Sequence, residues 1–192
     1  MDNRFRRSGN LLYMPMCPGC TACQPVRIDV PAFRPRKDQR RSAERNRDLS
    51  VSWQPRGHDA ERAQLYDRYQ RVVHGKDDGA DNADALVDDG GVPGGELHAR
   101  DRDGRLIAVS VCDRFADALS SVYCYYDPEL SARSLGTFMA LAEIGFCRAN
   151  DLRWWYLGFL VRGSPKMAYK ARFCPQEVLE DGVWVRYDEP VG

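Results

Sequence analysis

The sequence predicts an α/β (α+β) fold in which helices flank a mixed β-sheet, preceded by a small Cys- and Arg-rich N-terminal domain. Two observations predict this class. Segments that alternate apolar and polar residues, typical of half-buried strands, occur in turn with segments whose apolar residues recur every three or four positions, typical of helices. The first 46 residues, in contrast, are irregular and rich in arginine. We therefore place a domain boundary between residues 1–46 and residues 47–192.

In the N-terminal segment we expect one strand and one helix. Residues 13–25 contain three prolines and a glycine, which predicts a loop. Residues 26–30 alternate apolar with charged side chains, which predicts a half-buried strand. The basic run that follows Pro35 is expected to form a short helix with most of its faces in solvent.

The rest of the chain alternates between strands and helices. Strands are expected at residues 49–53, 96–100, 105–111, 119–126, 154–160 and 183–187. Helices are expected at residues 58–74, 134–149 and 166–173, with a further short helix around 83–87. Gly75 would end the first helix, and Asp103-Gly104 between two strands is a hairpin pattern. The helix at 134–149 has little polar face, so it should be well buried.

The order of these elements resembles the fold of the N-acetyltransferase superfamily: a strand meander, then a buried helix, then a further strand. Arg133-x-x-Gly136 stands where that superfamily places its pyrophosphate-binding loop. The last small residue of that loop is replaced here by Phe138, which is expected to crowd the pyrophosphate of coenzyme A. A fold alone does not give a function.

Composition excludes several classes of protein. The chain has 192 residues, of which 43% are hydrophobic and 10% aromatic, so it is not disordered and can bury a substantial core. No apolar run approaches the roughly 18 residues that a membrane span requires. Four of the first eight residues are charged, so no signal-peptide core lies there. We expect a cytoplasmic monomer with no membrane partner.

The net charge of zero conceals a sorting of charge along the chain. Residues 1–47 carry a net charge of +7 and residues 76–103 a net charge of −6. Within residues 34–47, seven cations accompany two anions. Such a run either contacts the phosphates of a nucleic acid or is a solvated face. The candidate phosphate ligands are Arg36, Lys37, Arg40, Arg41 and Arg45.

The seven cysteines are expected to be reduced thiols, because their number is odd and no signal peptide is visible. Cys17, Cys20 and Cys23 are spaced so that a tight turn would bring three thiolates onto one zinc ion or iron–sulfur cluster, although a fourth ligand is missing nearby. The alternative is that they are small residues of a proline-rich loop. The other four cysteines are expected to fill the core.

A first candidate site follows the strand at residues 119–126. Tyr126 and Asp127 end this strand, a proline turn follows, and a helix begins at Ser134. The free N–H groups around Leu135 and Gly136, together with the positive end of the helix dipole, suit an anion or a developing oxyanion.

A second candidate site follows the strand that contains Gly158. A Gly/Pro turn leads to a short helix in which Lys166 and Lys170 are one turn apart, with Tyr169 and Arg172 beside them. These cations suit a phosphate or the carboxylate of an acidic substrate. The alternative is an ordinary amphipathic helix near the end of the chain.

Taken together, the motifs are similar to those of the aminoacyl-tRNA–protein transferases, the arginyl- and leucyltransferases of the N-degron pathway, and most of all to the bacterial members. The resembling residues occur in the family's order from residue 6 to residue 176. They are Arg6-Arg7-Ser8-Gly9, Cys17-Pro-Gly-Cys20-x-x-Cys23, Phe33-x-Pro35, Gln39-Arg40-Arg41, Tyr69-Gln70, Tyr126-Asp127-Pro128, Ser134-Leu135-Gly136, Tyr156-Leu157-Gly158 and Lys166-Met167-x-Tyr169-Lys170.

The resemblance implies an enzyme that moves Arg or Leu from tRNA to the α-amine of proteins beginning with Asp or Glu, and so marks them for degradation. Its partners would be aminoacyl-tRNA and such proteins, and transfer itself would need no cofactor. Catalytic roles are implied for Tyr126, Asp127, Gly136, Lys166, Tyr169 and Lys170. Binding of substrate or tRNA is implied for Arg36, Lys37, Arg40, Arg41, Arg45, Ser134, Leu135, Gly158 and Arg172.

Relatives usually carry a further N-terminal piece with another cysteine motif, and a metal site at Cys17, Cys20 and Cys23 would depend on such additional ligands. Two other functions remain open from the sequence. One is an acyl-CoA-dependent N-acyltransferase on the same fold, which Phe138 and the basic N-terminal segment oppose. The other is a non-catalytic binder of acidic protein N-termini.

Overall fold

The computed structural model describes residues 5–77 and 91–191. The strands are β1 (Arg6–Ser8), β2 (Leu11–Tyr13), β3 (Gln24–Asp29), β4 (Ser50–Gln54), β5 (Gly94–Arg100), β6 (Leu106–Arg114), β7 (Ala118–Tyr126), β8 (Trp154–Leu160), β9 (Gln176–Glu180) and β10 (Val183–Tyr187). The α-helices are α1 (Lys37–Arg45), α2 (Ala60–Tyr69) and α3 (Leu135–Ala149), and short 3₁₀ helices span Pro128–Arg133 and Ala168–Arg172.

Eight strands form one sheet in the order β10-β9-β3-β8-β7-β6-β5-β4. All neighbours are antiparallel except β7 and β8, which are parallel, so the sheet is mixed as expected. The predicted hairpin is confirmed: β5 and β6 meet at a turn in which Gly104 adopts a φ of 84°, a left-handed conformation that favours glycine. The mixed sheet with flanking helices confirms the predicted fold class.

Two helices cover opposite faces of the sheet's centre, which explains why β6 is buried along nearly its whole length. Leu65 and Tyr69 of α2 pack against Leu106 and Val109 of β6 on one face. On the other face, α3 packs with Met139 against Ile107 and Ala108 of the same strand, and α3 is as buried as expected. β6 therefore contributes side chains to the hydrophobic cores on both faces of the sheet.

The sequence-based assignment of elements is right in outline and wrong in three places. β1 and β2 form a hairpin in the N-terminal segment that was expected to be irregular, and β9 was not anticipated. The expected helix at 166–173 is a shorter 3₁₀ helix, Ala168–Arg172. As predicted, Gly75 ends the first long helix, after one π-helical turn at Gln70–His74. The short helix expected around residues 83–87 lies outside the described residues.

The N-terminal segment shares the main sheet with the rest of the chain. β3 lies between β8 and β9, where it pairs with both strands. The expected domain boundary at residue 46 thus falls between elements of one layered structure: α1 precedes it and β4 follows it. In the part of the chain that the structure describes, no helix is long and apolar enough to cross a bilayer.

Candidate active site

The sheet opens between its two parallel strands. β7 and β8 pair only where Ala118–Ser120 faces Trp154–Tyr156, and they separate beyond that point. The remainder of β7 still pairs with β6, and the remainder of β8 with β3. Residues at the separated ends of the two strands are therefore free to face a substrate instead of each other.

A cavity of about 320 Å³ lies beside the end of β7. Four of the predicted site residues that follow β7 line it: Tyr126, Ser134, Leu135 and Gly136. Tyr169, predicted from the second motif, also lines it. The other lining residues are Tyr69, Cys124, Ser131 and Thr137. The structure thus brings residues of both candidate sites onto one cavity.

The start of helix α3 forms one wall of the cavity. The first helical hydrogen bond joins the Phe138 N–H to the Ser134 carbonyl at 3.1 Å, and no side chain caps this end. The N–H groups of Leu135, Gly136 and Thr137 therefore precede the helical ladder at the positive end of a 15-residue helix. This wall is suited to hold a carbonyl oxygen on which negative charge develops.

The opposite wall is aromatic and uncharged. The rings of Tyr69 and Tyr126 lie 5.0 Å apart in an edge-to-face arrangement. Burial raises the pKa of both phenols, so they remain protonated donors at neutral pH. Burial also raises the pKa of the Cys124 thiol, which keeps the thiol from forming a reactive thiolate. Chemistry in this cavity therefore proceeds without a cysteine nucleophile.

Gly158 and Lys170 lie on the β8 side of the opening, next to the buried Arg6. A Cβ at Gly158 would lie 3.1 Å from Lys170 Nζ and 3.3 Å from an Arg6 nitrogen, and the φ of this residue is 94°. Lys170 donates a 2.7 Å hydrogen bond to the Phe159 carbonyl. Desolvation, followed by the charge of Arg6, lowers the pKa of Lys170 to about 8. Arg6 was noted in the sequence only as part of a motif.

Glu143 of α3 is a buried acid that forms hydrogen bonds with β6, β7 and β8 near this opening. Its carboxylate accepts hydrogen bonds from Ser110, from Ser121 at 3.2 Å and from the Trp155 indole at 2.6 Å. Burial raises the pKa of Glu143 to about 7, since the hydrogen bonds only partly compensate for desolvation. No pattern in the sequence identified this residue, because it lies among the apolar positions of α3.

Asp127, Lys166 and Arg172 are among the predicted site residues that lie outside the cavity lining. Asp127 is fully buried, pairs with Arg105 and caps the following 3₁₀ helix through a 3.1 Å bond from Glu129 N–H. Its position therefore favours a structural role over the expected catalytic one. Lys166 is exposed on a turn, and Arg172 forms a 2.6 Å ion pair with Asp38 of α1.

The expected basic helix is present and is fastened to the cavity. Arg36, at its N-cap, and the cations Lys37, Arg40, Arg41 and Arg45 are exposed. Its buried face holds Ser42, whose hydroxyl donates to the Ser134 carbonyl at 3.0 Å. Asn46, just after the helix, donates to the Arg133 carbonyl at 2.9 Å. A row of exposed cations thus ends beside a residue that lines the cavity.

The thiols of the cysteine loop are largely exposed to solvent. Cys17 and Cys20 are exposed and Cys23 is half-buried, although the Cys20 N–H does close a turn onto the Cys17 carbonyl at 3.1 Å. Among residues 5–77 and 91–191, no three His, Cys, Asp or Glu side chains are arranged to hold a metal ion. Zinc or iron–sulfur binding at Cys17, Cys20 and Cys23 therefore stays a prediction.

Phe138 does not crowd the cavity. It was expected to block a coenzyme A pyrophosphate, but it lies on the other side of α3, in a groove with Trp53, Leu97 and Phe146. The expectation is wrong because successive residues of a helix point about 100° apart, so Phe138 and Gly136 face different surroundings.

Comparison with known proteins gives matches over nearly the whole chain. Residues 1–41 match the family model for the N terminus of arginine-tRNA-protein transferase, and residues 61–180 match the model for its C terminus. An aspartate/glutamate leucyltransferase of Gluconacetobacter diazotrophicus is 39% identical over 188 residues, covering 96% of this chain and 72% of the relative. One from Nitrosococcus oceani is 41% identical over 184 residues, covering 94% and 77%.

Solved structures are similar in fold at low sequence identity. L-PGS from Bacillus licheniformis superposes with a TM-score of 0.58 at 10% identity, covering 77% of this chain and 49% of that one. A GCN5-related glucosamine N-acetyltransferase region of a fungal multi-domain β-N-acetylglucosaminidase gives a TM-score of 0.51 at 12% identity, covering 85% and 20%. The resemblance to the N-acetyltransferase fold that was expected from the order of elements is confirmed.

Proposed function

Because the chain belongs to the aminoacyl-tRNA–protein transferase family and is therefore an aminoacyltransferase, we propose that it moves leucine from leucyl-tRNA to the α-amine of proteins that begin with aspartate or glutamate. The observation that carries this proposal is the identity of about 40% with aspartate/glutamate leucyltransferases over 94–96% of the chain. Leucine at the new N terminus would mark the acceptor for degradation.

The cavity lining favours leucine over arginine as the transferred residue. Its side chains are aromatic, small or hydroxylated, and Leu135 adds an aliphatic contact. Among the described residues that line the cavity there is no carboxylate, so these residues offer no counter-ion to the desolvated guanidinium of an arginyl group. A leucyl side chain is apolar, so removing its surface from water stabilises it in such a cavity.

The proposed reaction is a direct aminolysis of the aminoacyl ester. The neutral α-amine of the acceptor forms a bond to the ester carbonyl carbon, and the bond from that carbon to the terminal ribose oxygen of tRNA breaks. The amine loses one proton and the ribose oxygen gains one. An α-amine has a pKa of about 8, so a usable neutral fraction exists at pH 7 without a strong base.

The start of α3 would supply the largest catalytic contribution. We place the ester carbonyl against the N–H groups of Leu135 and Gly136, which are fixed by the helix and need no reorganisation as charge develops. The phenol groups of Tyr69 and Tyr126 face the same space as protonated donors. Holding amine and ester together provides the remaining acceleration, since the ester is already an activated acyl donor.

The exposed cations of α1 would bind the acceptor stem of the tRNA. They end beside Ser134, so a phosphate backbone that lies along α1 leads its 3′ end towards the cavity. Neither Arg40 nor Arg41 forms an ion pair with a carboxylate of the described residues. Their positive charges are therefore available to phosphates.

The decisive experiment offers the purified protein two labelled donors, leucyl-tRNA and arginyl-tRNA, with peptides that begin with Asp, Glu, Lys or Arg. Label should pass from leucyl-tRNA to the Asp and Glu peptides only, and mass spectrometry should find leucine on their α-amine. Transfer from arginyl-tRNA at an equal rate would contradict the assignment of leucine. Absence of transfer from both donors would contradict the assigned reaction.

A further inference from the structure

Lys170 and Arg6 form a pair of cations that the transfer step described above does not use. They approach Gly158 from two directions, to 3.1 and 3.3 Å from where a Cβ would stand. Lys170 donates to the Phe159 carbonyl of β8 and Arg6 to the Ser121 carbonyl of β7, where the two strands have separated. Because Gly158 has no side chain, no Cβ occupies this position beside the two cations.

The positive charge of this pair is not balanced by a neighbouring acid. Among residues 5–77 and 91–191, no carboxylate lies within ion-pair distance of either side chain. The two acids whose charges act on Arg6 are engaged by other groups: Asp113 pairs with Arg7 and Arg56, and Glu143 accepts hydrogen bonds from Ser110, Ser121 and Trp155. Two cations held close together in a partly desolvated place repel each other, and a small anion between them would relieve that repulsion.

We propose that Lys170, assisted by Arg6, binds the side-chain carboxylate of the acceptor's N-terminal aspartate or glutamate. The proposal rests on the proposed function, because it requires the α-amine of the acceptor to enter the cavity. An acidic side chain branches from the same carbon as that amine, so its carboxylate has to be bound close by. Tyr169 lines the cavity, and the next residue in the chain is Lys170.

A tRNA phosphate is the competing anion, and the burial of the pair argues against it. Arg6 is only 8% exposed, whereas the cations of α1 lie open on the surface. A backbone phosphate is flanked by two sugars, so a buried cation is less accessible to it than to a carboxylate at the tip of a short side chain.

The test compares two peptides that are identical except that one begins with Asp and the other with Asn, which has the same shape but no charge. The ratio of kcat/KM for Asp over Asn is measured for the wild type and for Lys170→Met, with leucyl-tRNA saturating. We expect the ratio to fall at least about tenfold, through a higher KM for the Asp peptide. Lys170→Arg, which keeps the charge, should retain most of the preference.

The matched control is Arg186→Met, which removes an exposed cation that pairs with Asp188 at the far edge of the sheet. It should leave the ratio unchanged. An unchanged ratio in Lys170→Met would overturn the proposal, and so would a rise in KM for leucyl-tRNA without any rise for the Asp peptide, because the anion would then be RNA. Thermal unfolding of each variant verifies that it is folded.

Failure of the proposed function is recognised separately by calorimetric titration of the two peptides without tRNA. If the wild type transfers nothing but still binds the Asp peptide more tightly than the Asn peptide, and Lys170→Met abolishes that difference, the carboxylate site stands and the assigned reaction falls. Equal affinity of the wild type for both peptides overturns the carboxylate site, whatever the transfer assay gives.

Discussion

Adjacent arginines of the N-terminal hairpin belong to two buried clusters that differ in how their charge is balanced. Arg7 shares the carboxylate of Asp113 with Arg56, and all three side chains are at most 5% exposed. Arg6, one residue earlier, lies beside Lys170 with no carboxylate partner among the described residues. The cluster of Arg7, Arg56 and Asp113, called balanced because both cations pair with a carboxylate, holds the hairpin on the sheet. The cluster of Arg6 and Lys170, called unbalanced, keeps a positive charge that a substrate can contact.

The largest expected effect tests the balanced cluster. Asp113→Ala would remove the buried carboxylate that Arg7 and Arg56 share, and should lower the free energy of unfolding by about 3–5 kcal/mol. Urea unfolding at pH 7 measures this change. The control, Asp188→Ala, breaks an exposed pair with Arg186 and should cost about 1 kcal/mol or less. Equal losses in the two variants would show that the buried cluster is not a structural fastening.

The next effect concerns activity at the cavity wall. Gly136→Val would place side-chain atoms against the Tyr126 ring, since even a Cβ would lie 3.4 Å from it, and should slow transfer by about 100-fold by displacing the ester. Single-turnover transfer of leucine measures the rate. Gly145→Val is the matched control on the same helix, because no atom lies within 4 Å of its Cβ position. A similar loss in both variants would point to the helix and not to the cavity.

A smaller effect tests the unbalanced cluster through pH. The pKa of Lys170 in the folded protein, about 8, lies below its ordinary value of 10.5, so the protonated amine is disfavoured by folding. This penalty is present below pH 8 and disappears as the pH rises from 8 to 10.5. Lys170→Met should therefore be more stable than the wild type by about 1–2 kcal/mol at pH 7, and the difference should shrink towards pH 10. Urea unfolding at both pH values tests this; a destabilised variant at pH 7 would assign Lys170 to the fold.

The smallest effect concerns the exposed cations, which are screened by salt. Replacing both Arg40 and Arg41 with Ala should weaken binding of leucyl-tRNA by about tenfold and reduce the slope of log affinity against log salt by about two. Filter binding at several salt concentrations gives both values. Replacement of Arg102 and Arg186 with Ala, two exposed cations elsewhere, should leave the slope unchanged. If the α1 variant binds as the wild type does, the tRNA backbone lies elsewhere.

The periodicity of apolar residues was sufficient to predict most strands and helices. Within each of these elements, the spacing of apolar and polar side chains already shows which face is buried. The helix at 134–149 and the hairpin at Asp103-Gly104 are examples, and each was located from its own residues. β9 forms a local hairpin with β10 across the Asp181-Gly182 turn, a signal that was overlooked, whereas its other neighbour, β3, lies about 150 residues earlier in the chain. Pairing at that distance leaves no trace in a local pattern.

The part of the candidate site that is formed by residues close together in sequence could be predicted. Tyr126, Ser134, Leu135 and Gly136 lie close together in sequence, and they do line one cavity. Arg6 could not be identified from its surroundings, because an arginine near the start of a chain is usually solvated and its partners Ser120 and Ser121 are more than 100 residues away. The ion pair of Asp127 with Arg105 could not be predicted either, because a linear pattern does not reveal which side chains meet.

The position of β3 has a consequence for synthesis of the protein on the ribosome. This strand is made among the first 30 residues, yet the strands on either side of it, β8 and β9, emerge after residue 154. The growing chain must therefore keep β3 unpaired until β8 and β9 have been made, and its valine and isoleucine side chains stay available to chaperones during that time. Closure of the sheet by such a distant pairing is intrinsically slow, so we expect the pairing of β3 to be a late step of folding.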